Sequence, residues 1–400
     1  MITFLIFLAT YAVVALGRAP GLAVDRTGAA LVGAILMVVT GAIGFDDAVR
    51  AVDFRTLVLL FGMMVLVAHL RLSGGLAALV RVVTERVTHP VLLVLALVFT
   101  AGFLSALFVN DTICLVFTPI VIDVAEARRH RPLPYLLALA TASNIGSAAT
   151  VTGNPQNMLI STVSRISFRA FSSSLMPIAI LGLIVDALVI WLFFRRQLTS
   201  VSTDVVAMEP VTPHGPVLVK TIVVALAMLA GFLAGYDTAL VSAAGAAALL
   251  VTRRVSPRKI YAAIDWDLLM LFAGLFVVVA GAEQAGIDRR IFQLLAPLGV
   301  RTLGGLTATV AVLSNAVSNV PAVMLLSHLV PTLPDPGRAW LVLAMASTFA
   351  GNLTIVGSIA NLIVVEGARR RGVTIGFWDY ARVGIPLTIT TLVMGAWWLA

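Results

Sequence analysis

"SNIGSAATVTGNPQN", residues Ser143 to Asn157, carries no charged side chain, is dense in hydroxyls and amides, and includes Gly146, Gly153 and Pro155. A regular helix does not run easily through it, because glycine loosens the backbone and proline removes a ladder donor. Its surroundings are the opposite. Of 400 residues, 60% are hydrophobic and 12% charged, and mean hydropathy is +1.04. A soluble chain carries about 25% charged residues. Apolar runs near twenty residues recur, enough to cross a hydrocarbon core of roughly 30 Å. The class is an all-α polytopic membrane protein.

The hydropathy pattern predicts ten crossings, over 1–16, 27–44, 55–72, 134–164, 175–195, 217–234, 238–252, 266–283, 338–366 and 382–400. Two of them, 134–164 and 338–366, are interrupted. Two further apolar stretches, about 90–125 and 301–331, read as re-entrant hairpins that enter and leave on one side. The first segment has no basic leader and no Ala-x-Ala site, so it reads as a retained helix rather than a signal peptide. On this plan the basic residues divide 19 against 8, with Arg128, Arg129, Arg131 and Arg369, Arg370, Arg371 on the richer side. The richer side is cytoplasmic, which places both termini outside a cell (inner) membrane. The net charge of +8 then belongs to cytoplasmic loops and not to a nucleic-acid surface. Cys114 is the single cysteine, which excludes an internal disulfide framework and an all-Cys metal site.

The chain repeats itself. "DFRTLVLLFGMMVLVA" from Asp53 resembles "DWDLLMLFAGLFVVVA" from Asp265, and "SALFVNDTICL" from Ser105 resembles "SNAVSNVPAVM" from Ser314. The opening stretch has its twin in "STFAGNLTIVGSIAN" from Ser347, which sets Ser143 on Ser347, Thr150 on Thr354, Gly153 on Gly357 and Asn157 on Asn361. The halves are 1–195 and 217–400, joined by a polar linker over 196–216. Five crossings per half is an odd number, so the copies are expected in opposite orientations, each with one broken helix and one hairpin. Inverted repeats with broken helices at the midplane are the usual build of a secondary transporter.

That plan gives the polar stretches a purpose. Irregular backbone at membrane depth survives only where it is buried in protein or lines an aqueous cavity. Freed carbonyls can hold a cation, and nearby amides can hold polar solute atoms. The candidate solute-binding residues are Asn110, Thr112, Ser143, Asn144, Asn154, Asn157, Ser318, Asn319, Asn352, Thr354, Ser358 and Asn361. The candidate ion-coupling residues are Asp111, Asn110, Gly153, Asn319 and Gly357. Asp111 stands out, because a carboxylate at membrane depth costs several kcal/mol unless paired, solvated or ion-bound. It either ligates sodium, a hard cation that prefers oxygen, carries a proton, or caps its own helix. Asp186, in "ILGLIVDALVIW", either neutralises a neighbouring helix or serves a proton path. The stretch from Gly75, "GLAALVRVVTERV", reads as an interfacial amphipathic helix.

On "VNDTICLVFTPIV" and "GNPQNMLI" the chain resembles the ion transporter superfamily that includes citrate-transporter-like proteins, arsenical-pump membrane proteins, divalent-anion/sodium symporters and arsenite-permease-like antiporters. The likeness runs from about residue 20 to 400. The dicarboxylate branch carries Ser-Asn-Thr at both hairpin tips; here the tips read Val109-Asn110-Asp111 and Ser318-Asn319-Val320, so only the asparagines match twice. The resemblance implies an elevator, in which hairpins and broken helices move as a transport domain against a scaffold.

The expected function is therefore secondary active transport of an anion or metalloid oxyacid, coupled to sodium or protons; the alternative is sodium/proton antiport on the same fold. No Ser/His, paired-Asp or metal motif points to an enzyme, and no nucleotide-binding loop points to an ATPase within the chain. No cofactor is expected beyond a sodium ion. Expected partners are a small anionic or neutral oxyacid, the lipid bilayer, a second copy in a homodimer and, for an arsenical pump, a separate ATPase subunit.

Overall fold

The computed structural model describes residues 1–198 and 213–400. The first series of helices is α1 (Ile2–Leu16), α2 (Arg26–Val39), α3 (Phe45–Ala51), α4 (Phe54–Leu72), α5 (Gly75–Arg86), α6 (Pro90–Leu107), α7 (Asn110–Ala127), α8 (Leu133–Ser147), α9 (Pro155–Ser164) and α10 (Phe168–Phe194). The second is α11 (Gly215–Leu233), α12 (Thr238–Leu250), α13 (Pro257–Tyr261), α14 (Trp266–Gln284), α15 (Ile287–Leu295), α16 (Leu303–Val317), α17 (Asn319–Ser327), α18 (Pro336–Ala350), α19 (Ile359–Arg370) and α20 (Phe377–Leu399). Extended pairing among the described residues is limited to an isolated bridge between Arg18 and Asp25. Most of the expected linker, residues 199–212, lies outside the described residues.

Six helices are long and apolar enough to cross a bilayer: α4, α6, α10, α11, α14 and α20. Five match expected crossings. The sixth, α6, is the first arm of the expected hairpin and is longer than the sequence reading allowed; its 18 residues extend about 27 Å at the helical rise. α7 begins after only Phe108 and Val109, so nearly all of the stretch is helix rather than loop. α10 and α20 also begin one to two turns before the expected 175 and 382. Their first turns are polar and looked like loop, but Ser167 caps α10 by accepting from Ala170 N, and Asp379 accepts from Gly376 N at the start of α20. The short helices α3, α13 and α15 were not expected, being brief and part-polar; α15 meets α16 at 118°.

The two series run in step. α2, α3, α4 and α5 begin at residues 26, 45, 54 and 75, and α12, α13, α14 and α15 at 238, 257, 266 and 287, a constant offset of 212. Their packing matches as well: α2 lies along α14, and α12 along α4. Glycines make both approaches close. A Cβ on Gly62 would sit 2.6 Å from Ser242 O, and one on Gly274 would sit 2.7 Å from the Ala30 carbonyl carbon. Those two contacts are the same contact at the same offset, with the small residues exchanged between halves.

The helices sort into two packing groups. α1–α4 pack with α11–α14; α6–α10 pack with α16–α20, chiefly α6 on α8, α16 on α18 and α7 on α19. Few polar bonds join the groups. Tyr11 OH in α1 donates to Pro321 O in α17, at 3.3 Å, and Thr56 in α4 bonds Thr162 in α9.

Candidate functional site

Both breaks share one design. α8 ends at Ser147, a single tight turn follows over Val151–Gly153, and α9 begins at Pro155. In the other half α18 ends at Ala350, the turn covers Ile355–Gly357, and α19 begins at Ile359. Thr150 and Thr354, which open the two turns, have φ/ψ of −139°/166° and −140°/165°. Gly153 is required: a Cβ there would lie 2.1 Å from Ser147 O, and one on Gly357 would lie 2.9 Å from Gly351 O. Asn157 Nδ2 donates to Ser147 O at 3.1 Å and Thr150 O at 2.9 Å. Asn361 Nδ2 donates to the equivalent Gly351 O at 2.7 Å and Thr354 O at 3.1 Å.

The carbonyls freed by the breaks, read as candidate cation ligands, have a protein donor as well: those of Ser147, Thr150, Gly351 and Thr354 accept from the two asparagines. A buried carbonyl seeks a donor wherever one lies, and the asparagine one turn into the next helix supplies it. Asn157 and Asn361 therefore hold the backbone in its broken form, whatever else they touch.

Asn144, near the end of α8 and 2% exposed, joins both halves. Its Oδ1 accepts from Asn110 Nδ2 at 3.0 Å and from Ser358 Oγ at 2.9 Å. Its Nδ2 donates to Asn352 Oδ1 at 2.8 Å and Asn361 Oδ1 at 2.9 Å. The reciprocal contact exists across the repeat. Thr348, the counterpart of Asn144 at offset 204, accepts from Asn154 Nδ2 at 3.2 Å, and Asn154 is the counterpart of Ser358. Residue i of one half meets residue j of the other, and j meets i, which is the pattern of a two-fold relation.

The tips sit against this cluster. Asn110 and Asn319 are each the first residue of a second arm, α7 and α17, and Ser318 before Asn319 adopts φ 77°. Ser143 Oγ lies 2.9 Å from Ser105 Oγ and donates to Asn110 O at 3.2 Å, fastening the first tip to α8. Gly351 approaches the second tip: a Cβ there would lie 3.4 Å from Asn319 Nδ2. Three amide oxygens, Asn110 Oδ1, Asn157 Oδ1 and Asn319 Oδ1, are buried without a hydrogen-bond partner among the described residues. Buried acceptors are usually paired, so these three oxygens are positions where a water, an ion or a solute can bind.

The structure thus brings together Asn110, Ser143, Asn144, Asn154, Asn157, Asn352, Ser358 and Asn361, with Asn319 alongside. Thr354 is a step removed, its Oγ1 3.4 Å from Asn315 Oδ1. The side chains of Thr112 and Ser318 are half-buried and make no hydrogen bond among the described residues. Asp111 is half-buried at the first tip; its carboxylate makes no hydrogen bond or ion pair among the described residues, and it does not cap α7. Sequence reasoning missed Thr348, Gln156, whose Nε2 lies 3.4 Å from Thr348 Oγ1, and Asn315, whose Nδ2 donates to Ala350 O at 2.9 Å. Thr348 could have been found as the repeat partner of Asn144. Beside the first tip, an apolar cavity of about 150 Å³ is lined by Leu107, Phe108 and Thr152 with side chains of α4 and α11.

Comparison with known proteins finds relatives over nearly the whole chain. The model of the citrate transporter family matches residues 11–350. A silicon efflux transporter, LSI3, of Oryza sativa subsp. japonica is 32% identical, covering 94% of this chain and 92% of that protein. A 46 kDa membrane protein of Mycobacterium leprae is 30% identical over 100% of this chain and 98% of its own length. The putative transporter arsB of Dictyostelium discoideum is 24% identical over 94% and 87%. Among solved structures, the YdaH transporter of Alcanivorax borkumensis superposes with a TM-score of 0.61 at 16% identity, covering 100% of this chain and 96% of that one, a likeness of fold alone.

Proposed function

The chain belongs to the citrate transporter family, and from that premise we propose that it is a secondary active transporter of a small oxyacid, neutral or singly charged, driven by a sodium or proton gradient. One observation carries the solute class: the unpartnered atoms of the cluster, Asn110 Oδ1, Asn157 Oδ1 and Asn319 Oδ1, are acceptors. The O–H groups of a protonated oxyacid complement them; a multiply charged carboxylate only accepts. The segments 105–112, 143–157, 314–321 and 347–361 contain no Lys, Arg or His that would offset such a charge. Relatives named for silicon efflux and as arsB favour a metalloid oxyacid over citrate.

Alternating access follows from the repeat. The α6–α7 pair returns the chain to its own side whether it spans or re-enters, so each half keeps an odd number of crossings and the halves oppose each other. The reciprocal contacts of Asn144 with Ser358 and of Thr348 with Asn154 support such a two-fold, with the breaks at the midplane. α6–α10 with α16–α20 form the transport domain, and α1–α4 with α11–α14 the scaffold, of an elevator in the cell membrane with both termini outside. Oxygen ligands for a sodium ion stand at Asp111, Asn110 and Asn319, beside the turns ending in Gly153 and Gly357. A second reading, sodium/proton antiport, is favoured by the unpartnered carboxylate of Asp111.

Purified protein in proteoliposomes tests both readings. Arsenite and silicic acid should accumulate under a sodium or pH gradient while citrate does not. Accumulation of citrate alone would overturn the solute class, and sodium/proton exchange with no solute flux would establish the second reading in place of the first.

A further inference from the structure

Asp186 lies midway along α10, is 0% exposed and takes no part in the solute cluster. Thr141 Oγ1, in α8, is 2.8 Å from Asp186 Oδ1 and also 2.8 Å from the carbonyl oxygen of Leu137. A hydroxyl has one hydrogen to donate, and it can accept another. Each contact has a hydrogen of its own when the carboxyl group carries a proton and donates it to Thr141, which leaves the threonine hydrogen for Leu137. An ionised Asp186 would have to share that single hydrogen with Leu137 or draw it away. Asp186 Oδ2 and the Tyr380 hydroxyl are both buried without a hydrogen-bond partner among the described residues.

Among the described residues Asp186 forms no ion pair, and the cation within α10 itself, Arg169, lies near the start of that helix. α6 and α8, packed on α10, contain no charged residue. α11 brings Lys220, whose Nζ donates to Val251 O; α18 brings Arg338, paired with Asp335; α20 brings Asp379 and Arg382, paired with each other. Tyr380 is also on α20, which packs along α10. An isolated charge at this depth is costly, so an acid kept here is a functional candidate.

Two connections give the site meaning. Asn352 Nδ2 donates to Thr141 O at 3.1 Å, and Asn352 Oδ1 accepts from Asn144, so the residue that holds the acid is tied to the centre of the solute cluster. In the second half the counterpart of Thr141 is Met345, and Gly395 of α20 lies against it, where a Cβ would come within 2.6 Å of the sulfur. The acid is therefore absent from the repeated framework and belongs to one half.

We propose that Asp186 is a proton-binding site of the transport cycle, neutral in this conformation and emptied when the Asn144 cluster rearranges, so that solute and proton move together. The proposal rests on the transporter reading and adds to it a coupling ion and its seat. On release the Asp186 O–H bond breaks, its electron pair stays on the carboxylate, the proton passes to water on the side then open, and Thr141 turns its hydrogen from Leu137 to Oδ1.

Reconstituted full-length protein provides two independent readouts. Infrared difference spectra against pH read the C=O stretch of a neutral carboxylic acid with no solute present. Arsenite accumulation under a pH gradient reads coupling, and arsenite counterflow without a gradient reads exchange. In Asp186→Asn one neutral-acid component should vanish and gradient-driven accumulation should be lost, while counterflow persists. Thr141→Val keeps the acid but removes its hydroxyl partner, and should shift the pH midpoint of the same component. An unchanged spectrum or wild-type accumulation in Asp186→Asn overturns the proposal, as does an unmoved midpoint in Thr141→Val. If the wild-type protein moves neither arsenite, silicic acid nor citrate, the transporter reading fails, and the infrared spectra still decide whether Asp186 holds a proton.

Discussion

Replacing Asn144 with alanine removes one side chain and four hydrogen bonds, to Asn110 Nδ2, Ser358 Oγ, Asn352 Oδ1 and Asn361 Oδ1, at 2.8 to 3.0 Å. At about 1 kcal/mol net for each bond the loss is about 4 kcal/mol, and partners left buried without water push it upward by about 1–3 kcal/mol each. Ser358 can turn its hydroxyl elsewhere, so a fall of about 3–6 kcal/mol is expected for Asn144→Ala. Equilibrium unfolding of the purified protein in mixed micelles measures it. A double-mutant cycle with Ser358→Ala isolates the contact between halves, and the reciprocal cycle of Asn154→Ala with Thr348→Ala isolates its counterpart. Each should give a coupling of about 0.5–3 kcal/mol. A loss below about 1 kcal/mol in Asn144→Ala, or no coupling in either cycle, would refute the role of Asn144 as the joint between halves.

Gly62→Ala and Gly274→Ala should each destabilise by about 1–3 kcal/mol, because both place a Cβ into the facing helix backbone; micelle unfolding in which either is neutral contradicts the paired crossing. Asp111→Asn should leave stability within about 0.5 kcal/mol, since the carboxylate bonds nothing in the protein, yet abolish cation-coupled flux. Wild-type flux, sodium response and pH profile at matched protein amounts would return Asp111 to a structural role. His130→Cys and Arg370→Cys should resist an impermeant maleimide on intact cells, the native Cys114 being buried; strong labelling would reverse the orientation.

The breaks were legible because lipid-depth sequence rarely carries amides, hydroxyls, glycine and proline together, and because the same group recurred at offset 204. The family was legible from the tips and breaks for the same reason. Helix bounds were less so: hydropathy cannot separate a capped, polar first turn from a loop, which hid the starts of α10 and α20. The length of α6 was misread because a polar tip at Asn110 suggested short arms, whereas the chain stays helical until Phe108. The roles of the asparagines were only half visible. Their side chains looked like solute ligands, but Asn157 and Asn361 first satisfy carbonyls that the break itself exposes, a need that exists only once the fold is formed. Thr348 and Gln156 passed unnoticed because a threonine or glutamine beside a break has no distinctive spacing.

Solute counterflow tests the central claim most directly. Proteoliposomes loaded with unlabelled arsenite, without an ion gradient, should take up labelled arsenite through the wild-type protein. Asn110→Ala in the first half and Asn319→Ala in the second should each depress that exchange strongly, because the two tips supply acceptors to one solute. Loss confined to one half, with the other variant exchanging at the wild-type rate, would contradict a single site shared by both halves.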